Sequence, residues 1–197
     1  MRRRSLGALV ALALLVPAAG GITFAAYRAT SANGGSVVGS GSVKLSDNGD
    51  GSSLLSLSAA VPGATTSACI KVTYDGSLPS TVRLHGTTTG SGLDQYLDLR
   101  ITRGTYTPSD PAFKSCANFQ PDGTNYIGAG NGVIYNGTLQ AFPDDYASGL
   151  VDPQSGSPES WTNGEVHVYK LEATLQSNFA AQNKDAAQTF RWEARNQ

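Results

Sequence analysis

Apolar and polar positions alternate repeatedly from residue 43 onward, and a period of two is that of strands with one face buried. Ala68, Ile70, Val72 and Tyr74 share one face, with Cys69, Lys71 and Thr73 on the other. Leu97, Leu99 and Ile101 alternate with Asp98, Arg100 and Thr102, the clearest strand of the middle region. Two strong strands close the chain. Residues 165–176, EVHVYKLEATLQ, gather Tyr169, Leu171, Ala173 and Leu175 on one face, and residues 188–195, QTFRWEAR, set Phe190, Trp192 and Ala194 inward with Arg191, Glu193 and Arg195 outward. Val82 and Leu84 begin a further strand. Val43 and Leu45, the turn Asp47-Asn48-Gly49-Asp50-Gly51, and then Leu55 and Leu57 predict a β-hairpin. Val61-Pro62-Gly63, Asp75-Gly76 and Leu78-Pro79 mark turns, and residues 178–187 read as a polar link with a helical turn. No helix-length amphipathic run separates the strands, so residues 43–197 are expected to form an all-β, antiparallel β-sandwich.

Residues 104–164 break this rhythm. They are rich in Gly, Pro, Asn and aromatics, with one good strand candidate at 132–140 and a helical turn expected at 143–148. Such an insert is either a surface-binding loop or a structured cover for the sheet. Tyr106, Phe119, Tyr126, Tyr135, Phe142, Tyr146 and Trp161 offer a sugar- or protein-binding surface, with Tyr126 and Trp161 as its exposed contacts, or they pack the insert against the sandwich.

The N-terminus has a different pattern. Met1-Arg2-Arg3-Arg4 is a basic leader, residues 6–16 are apolar, and Thr23-Phe24-Ala25 is a small-x-small cleavage step, so residues 1–25 read as an export signal cut between Ala25 and Ala26. The rival is an uncleaved anchor, the only route by which this chain would touch a membrane. Pro17 and Gly20-Gly21 weaken that rival as a continuous helix. Cleavage would free residues 26–42 as an N-terminal arm. Either way, the remainder is expected outside the cytoplasm. Cys69 and Cys116 suit that compartment: as a disulfide they would close a loop of nearly fifty residues and pin the insert to the strand carrying Cys69.

Composition narrows the function classes. The 197 residues are 40% apolar and 15% charged, enough for one domain with its own core. Without Arg2, Arg3 and Arg4 the chain keeps 11 basic against 15 acidic residues, a net charge of −4, so no nucleic-acid partner is expected. Catalytic signatures are missing: there is no GxSxG, GxGxxG or P-loop, and His85 and His167 lie in no HExxH arrangement. Asp144-Asp145 are adjacent rather than opposed, unlike a glycosidase pair. The acidic turn at Asp47 departs from a calcium loop, with Gly49 at its third position and no Glu at its twelfth. No catalytic residue, metal or cofactor is therefore expected. Asn136-Gly137-Thr138 fits the three-residue glycosylation pattern.

Thr23-Phe24-Ala25-Ala26-Tyr27, Gly39-Ser40-Gly41-Ser42-Val43-Lys44-Leu45 and the blocks beginning at Leu55, Val61, Asp75, Gln182 and Phe190 together resemble the TasA and camelysin-like family of secreted biofilm-matrix and surface β-proteins. Thr23-Phe24-Ala25-Ala26-Tyr27 followed by Gly39-Ser40-Gly41-Ser42-Val43-Lys44-Leu45 is similar to that family's junction between a SipW-type signal and its first strand. Leu55-Ser56-Leu57-Ser58 with Val61-Pro62-Gly63, Asp75-Gly76-Ser77-Leu78-Pro79, and Gln182-Asn183-Lys184 with Phe190-Arg191-Trp192-Glu193-Ala194 are similar to its later blocks. The insert matches least, and a disulfide departs from the TasA pattern. The resemblance implies a jelly-roll-type sandwich and a secreted subunit that self-assembles into extracellular or cell-surface fibres. Assembly would proceed by donor-strand exchange through the arm, with Tyr27, Ala29 and Val37 filling grooves on a neighbour. Another copy of the chain, a minor anchoring subunit or the cell envelope would be the partner. Free in the monomer, the arm would be disordered or folded back on its own edge. The alternative is a secreted carbohydrate- or surface-binding adhesin module. A camelysin-like metalloendopeptidase finds no residues here to carry it.

Overall fold

The computed structural model describes residues 28–32, 43, 45–49, 53–57, 61–153 and 159–196. The expected signal, the cleavage step at Ala25 and Ala26, and the arm residues Tyr27 and Val37 lie outside them. In chain order the strands are β1 (Arg28–Ala32), β2 (Leu45–Asp47), β3 (Thr65–Tyr74), β4 (Ser80–Gly90), β5 (Leu97–Tyr106), β6 (Phe119–Pro121), β7 (Val133–Thr138), β8 (Leu150–Val151), β9 (Ser160–Trp161), β10 (Glu165–Leu175) and β11 (Ala186–Asn196).

They make two antiparallel sheets. One runs β1-β11-β4, with β8 and β9 sharing the far edge of β4; the other runs β2-β3-β10-β5, with β6 and β7 sharing the far edge of β5. The chain is an all-β sandwich, as the alternation predicts. Its core comes from the two inner faces: Ile70, Val72, Leu99, Ile101, Tyr169 and Leu171 meet Val82, Leu84, Phe190, Trp192 and Ala194, all buried. Tyr169 and Trp192 meet across the gap at a tilt, with ring centroids 5.1 Å apart. Each fully buried aliphatic side chain here contributes about 1.5–3 kcal/mol through lost water contact.

Two local expectations change. Leu45 does not form a hairpin with Leu55; β2 pairs with β3, Leu45 opposite Tyr74. The Asn48 side chain fixes that choice by accepting from the Lys71 amide at 2.9 Å, while the Asn48 amide donates to the Lys71 carbonyl at 3.2 Å. Leu54 is buried, and Leu55 and Leu57 pack on the core from a segment without strand pairing. Residues 143–148 form a turn rather than a helix: Asp145 Oδ1 accepts from the Ser148 amide at 2.8 Å as a helix cap would, but the chain stops after the single bond from the Gly149 amide to Tyr146 O at 3.3 Å and enters β8.

Of the two states expected for the arm, residues 28–32 take the second. Arg28–Ala32 pairs in register with Arg195 to Arg191 of the chain's own β11.

The insert embraces the sandwich. Its first part lies on the outer face of the β10 sheet, where Cys116 is bonded to Cys69 with Cα atoms 5.1 Å apart, the Cys69 amide donates to Lys114 O at 3.2 Å, and Lys71 pairs with Asp110. A later part runs along the far edge of β4, where the Gly86 amide donates to Pro143 O at 2.9 Å, and onto the outer face of that sheet, where Tyr146 sits under Arg195 and Arg83, 3.7 and 5.2 Å from its ring centre. There His85 and Glu193 are buried 3.2 Å apart, so the outward-facing positions of β11 are not all solvated. Between these two contacts the insert caps one end of the sandwich.

Candidate functional site

That capped end is built on Arg103. Leu97, Leu99, Ile101 and Arg103 share the inner face of β5 by parity, so a guanidinium follows three core side chains into the interior. Tyr169, directly opposite in β10, shares its face with His167 and Glu165. Chain geometry holds Arg103 in place. The β5–β7 ladder shifts register at Ile101/Thr102, and the Arg103 amide donates instead to Gly132 O at 2.7 Å, while its carbonyl accepts from the Asp122 amide at 3.0 Å. Gly132 has φ +72, and a Cβ there would stand 2.4 Å from the Arg103 carbonyl oxygen, so both conformation and space require glycine.

Arg103 is only 5% exposed, and its guanidinium meets several groups. Nη1 pairs with Asp122 Oδ2 at 2.8 Å and donates to Tyr126 Oη at 3.1 Å, while Tyr126 donates in turn to Asp122 at 2.8 Å. Nη2 lies 2.6 Å from Glu159 Oε2 and 2.8 Å from His167 Nε2. Nε lies 3.0 Å from Asp152 Oδ1, an attractive contact in which the N–H is not aimed at the oxygen. The second oxygen of Asp152 accepts from the Tyr169 hydroxyl. His167 Nε2 also stands 2.9 Å from Glu165 Oε1, and its ring meets Trp161 edge-on at 4.5 Å.

Burial and shared charge set the protonation states. Asp152 is fully buried, and burial pushes its carboxyl up to about 7; Arg103 opposes this, while Glu159, Asp122 and Glu165 add to it. Burial works against the Arg103 charge as well, but Asp152, Asp122 and Glu159 outweigh it and hold the guanidinium above its ordinary value. Burial, then Arg103, lowers His167, against the pull of Glu165. Burial and the bond to Asp122 raise the Tyr126 hydroxyl.

Glu159, Glu165 and His167 bring ligand-type atoms within 4.8 Å of one another. Arg103 Nη2 holds the position between Glu159 and His167 that an ion would take, so these residues are partners of the guanidinium rather than metal ligands. The Nη donors of Arg103 are committed to protein acceptors. The arrangement is suited to fastening the insert, with Asp122, Tyr126, Asp152 and Glu159 all arriving from the insert and Arg103, Glu165, His167 and Tyr169 from the sheet.

Tyr126 and Trp161, expected as exposed contacts, belong to this cap. Trp161 is 0% exposed, enclosed by its pairing with β4 and by His167, and Tyr126 is half-buried with its hydroxyl in the Arg103 network. Phe142 joins Tyr135 and Phe190 in edge-to-face contacts at 5.1 and 5.5 Å, again packing insert onto sandwich. Arg103 belongs to no sequence motif. Its signal is parity: continuing the Leu97-Leu99-Ile101 face by one step, and the Tyr169 face back to His167 and Glu165, places three ionisable groups inward.

At the opposite end, a groove of about 490 Å³ opens between the sheets, lined by Leu54, Leu55, Leu57, Leu93, Leu139 and Phe190 among others. It runs beside residues 186–190 of β11, the part of that strand beyond the reach of β1. Ala29 is in β1, opposite Ala194. No family model matches the chain, and a search of curated proteins finds no match.

Proposed function

We propose that this protein is a secreted structural subunit that self-associates into extracellular or cell-surface fibres, exchanging its N-terminal strand between copies. The observation that carries this reading is β1, a five-residue strand added to the edge of β11 in a single antiparallel ladder. A strand held on an edge by its backbone ladder is a separable module: another copy's residues 28–32 would make the same bonds in the same register. Such exchange costs little, because bonds lost in one copy are regained in the next. The contact is heterologous and propagates head to tail unless it closes into a ring. The groove beside residues 186–190, which Leu55, Leu57 and Phe190 help to line, supports the reading as space next to the part of that edge beyond β1. The family resemblance and the expected export signal support it from the sequence side.

The experiment compares protein beginning at Ala26 with protein beginning at Gly41, by negative-stain microscopy and size-exclusion chromatography across a concentration series. Fibres from the longer form alone are expected. Identical fibres from both, or a monomeric longer form at every concentration, would sink the reading.

A further inference from the structure

We propose that the Arg103 cluster is a proton-operated latch that holds the insert down over one end of the sandwich. Four carboxylates, Asp122, Asp152, Glu159 and Glu165, share this site with one guanidinium and one imidazole. β5 supplies Arg103, β10 supplies Glu165, His167 and Tyr169, and the insert supplies Asp122, Tyr126, Asp152 and Glu159. β3 contributes the Tyr74 hydroxyl, engaged with Leu78 O and Ser80, while the inner faces of β4 and β11 present the uncharged Ser80, Val82 and Trp192.

With every carboxylate ionised and His167 neutral, this site holds three negative charges in excess, with Asp152 0% exposed at its centre and Glu159 at its partly exposed rim. Excess charge in a low-dielectric interior is strongly unfavourable, so the site gains by keeping a proton. Its geometry shows the same demand. His167 Nε2 stands 2.8 Å from Arg103 Nη2 and 2.9 Å from Glu165 Oε1. An unprotonated Nε2 accepts from Arg103 and then faces a carboxylate oxygen; a protonated one donates to Glu165 and then crowds an Arg103 N–H. One proton gained by the set removes one of these conflicts, and its titration belongs to the cluster rather than to one residue. Burial and neighbouring carboxylates, which push Asp152 up to about 7, place the change near neutral pH.

Below neutral pH the proton is held and Arg103 binds a set with less net charge, so the cap is closed. Above it, the proton leaves, the carboxylates repel one another, and the groups that arrive from the insert loosen while the sandwich stays folded. The latch does not depend on how the N-terminal strand is used.

The test is hydrogen–deuterium exchange on the full chain from pH 5.5 to 9, corrected for intrinsic rates. Peptides covering 119–126 and 150–161 are compared with 68–74 in β3. Protection of the two cap peptides is expected to fall by up to about tenfold per pH unit as pH rises towards the midpoint, one proton's worth, and to level off above it, with the β3 peptide unchanged. Asp152→Asn is expected to flatten that dependence. Glu159→Gln, at the partly exposed rim, keeps the fold and moves the midpoint to lower pH, because one carboxylate fewer makes the proton easier to lose. Flat protection of the cap in the wild type overturns the latch, as does an unmoved midpoint in Glu159→Gln.

Discussion

The two ends of this sandwich solve the same problem in opposite ways. At one, the inner faces of β5 and β10 run out of apolar residues, and Arg103, His167 and Glu165 are closed over by the insert through ion pairs. At the other, the same two faces end in Leu97, Ala173 and Leu175, and Leu55, Leu57, Leu93 and Phe190 help to line an open groove. The difference is one of specificity. An ion pair buried at an end tolerates only partners with matching donors and acceptors, whereas an apolar groove accepts any strand of suitable shape. The charged end is committed to its own chain, and the apolar end remains available.

The strongest way to break this comparison is Arg103→Met, which leaves Asp122, Asp152 and Glu159 without their shared cation. A loss of about 3–5 kcal/mol in urea unfolding is expected, as for other buried pairs stripped of one partner. A loss below about 1 kcal/mol would mean that the capped end is not held by charge. Next comes the covalent tie. Cys69→Ser with Cys116→Ser is expected to cost roughly 3–4 kcal/mol on the loop-entropy model, read from the same unfolding curves.

The pH dependence of stability follows in size. Asp152 has a raised folded value, so its contribution is fully present below the unfolded carboxylate value and is lost as pH rises towards about 7. His167 has a lowered folded value and acts oppositely, losing stability as pH falls from the ordinary histidine value through its depressed one. Thermal melts should therefore show Asp152→Asn and wild type diverging most above neutral pH, with the variant the more stable. Parallel melting profiles would remove Asp152 from the account. Smallest is the groove end: Leu55→Ala, half-buried, should cost only about 1 kcal/mol in chemical denaturation, leaving the cap peptides' exchange unchanged. A much larger cost would show Leu55 to be as deeply committed as the core.

What was legible in the sequence follows from the range over which each signal acts. The faces of β3, β5, β10 and β11 are local patterns, and Ala68 to Tyr74, Leu97 to Ile101, Tyr169 to Leu175 and Phe190 to Ala194 turn inward as their alternation requires. Pairing is not local. Leu45 and Leu55 look like hairpin partners across an Asp-Asn-Gly turn, yet the outer edge of β3, whose Lys71 amide donates to the Asn48 side chain, takes β2 instead. Arg103 was hidden for a related reason. A charge at the end of an apolar face reads as the point where a strand reaches solvent, and only the return of the insert, some fifty residues on, encloses it with Asp152 and Glu159.

The insert's path has a mechanical consequence. It is fastened covalently to the outer face of one sheet through Cys116 and Cys69, and to the outer face of the other through Tyr146 beneath Arg83 and Arg195. A force that slides one sheet over the other must therefore stretch this strap as well as shear the core. In a load-bearing filament, tension entering along β11 would be shared between both sheets before any strand separates.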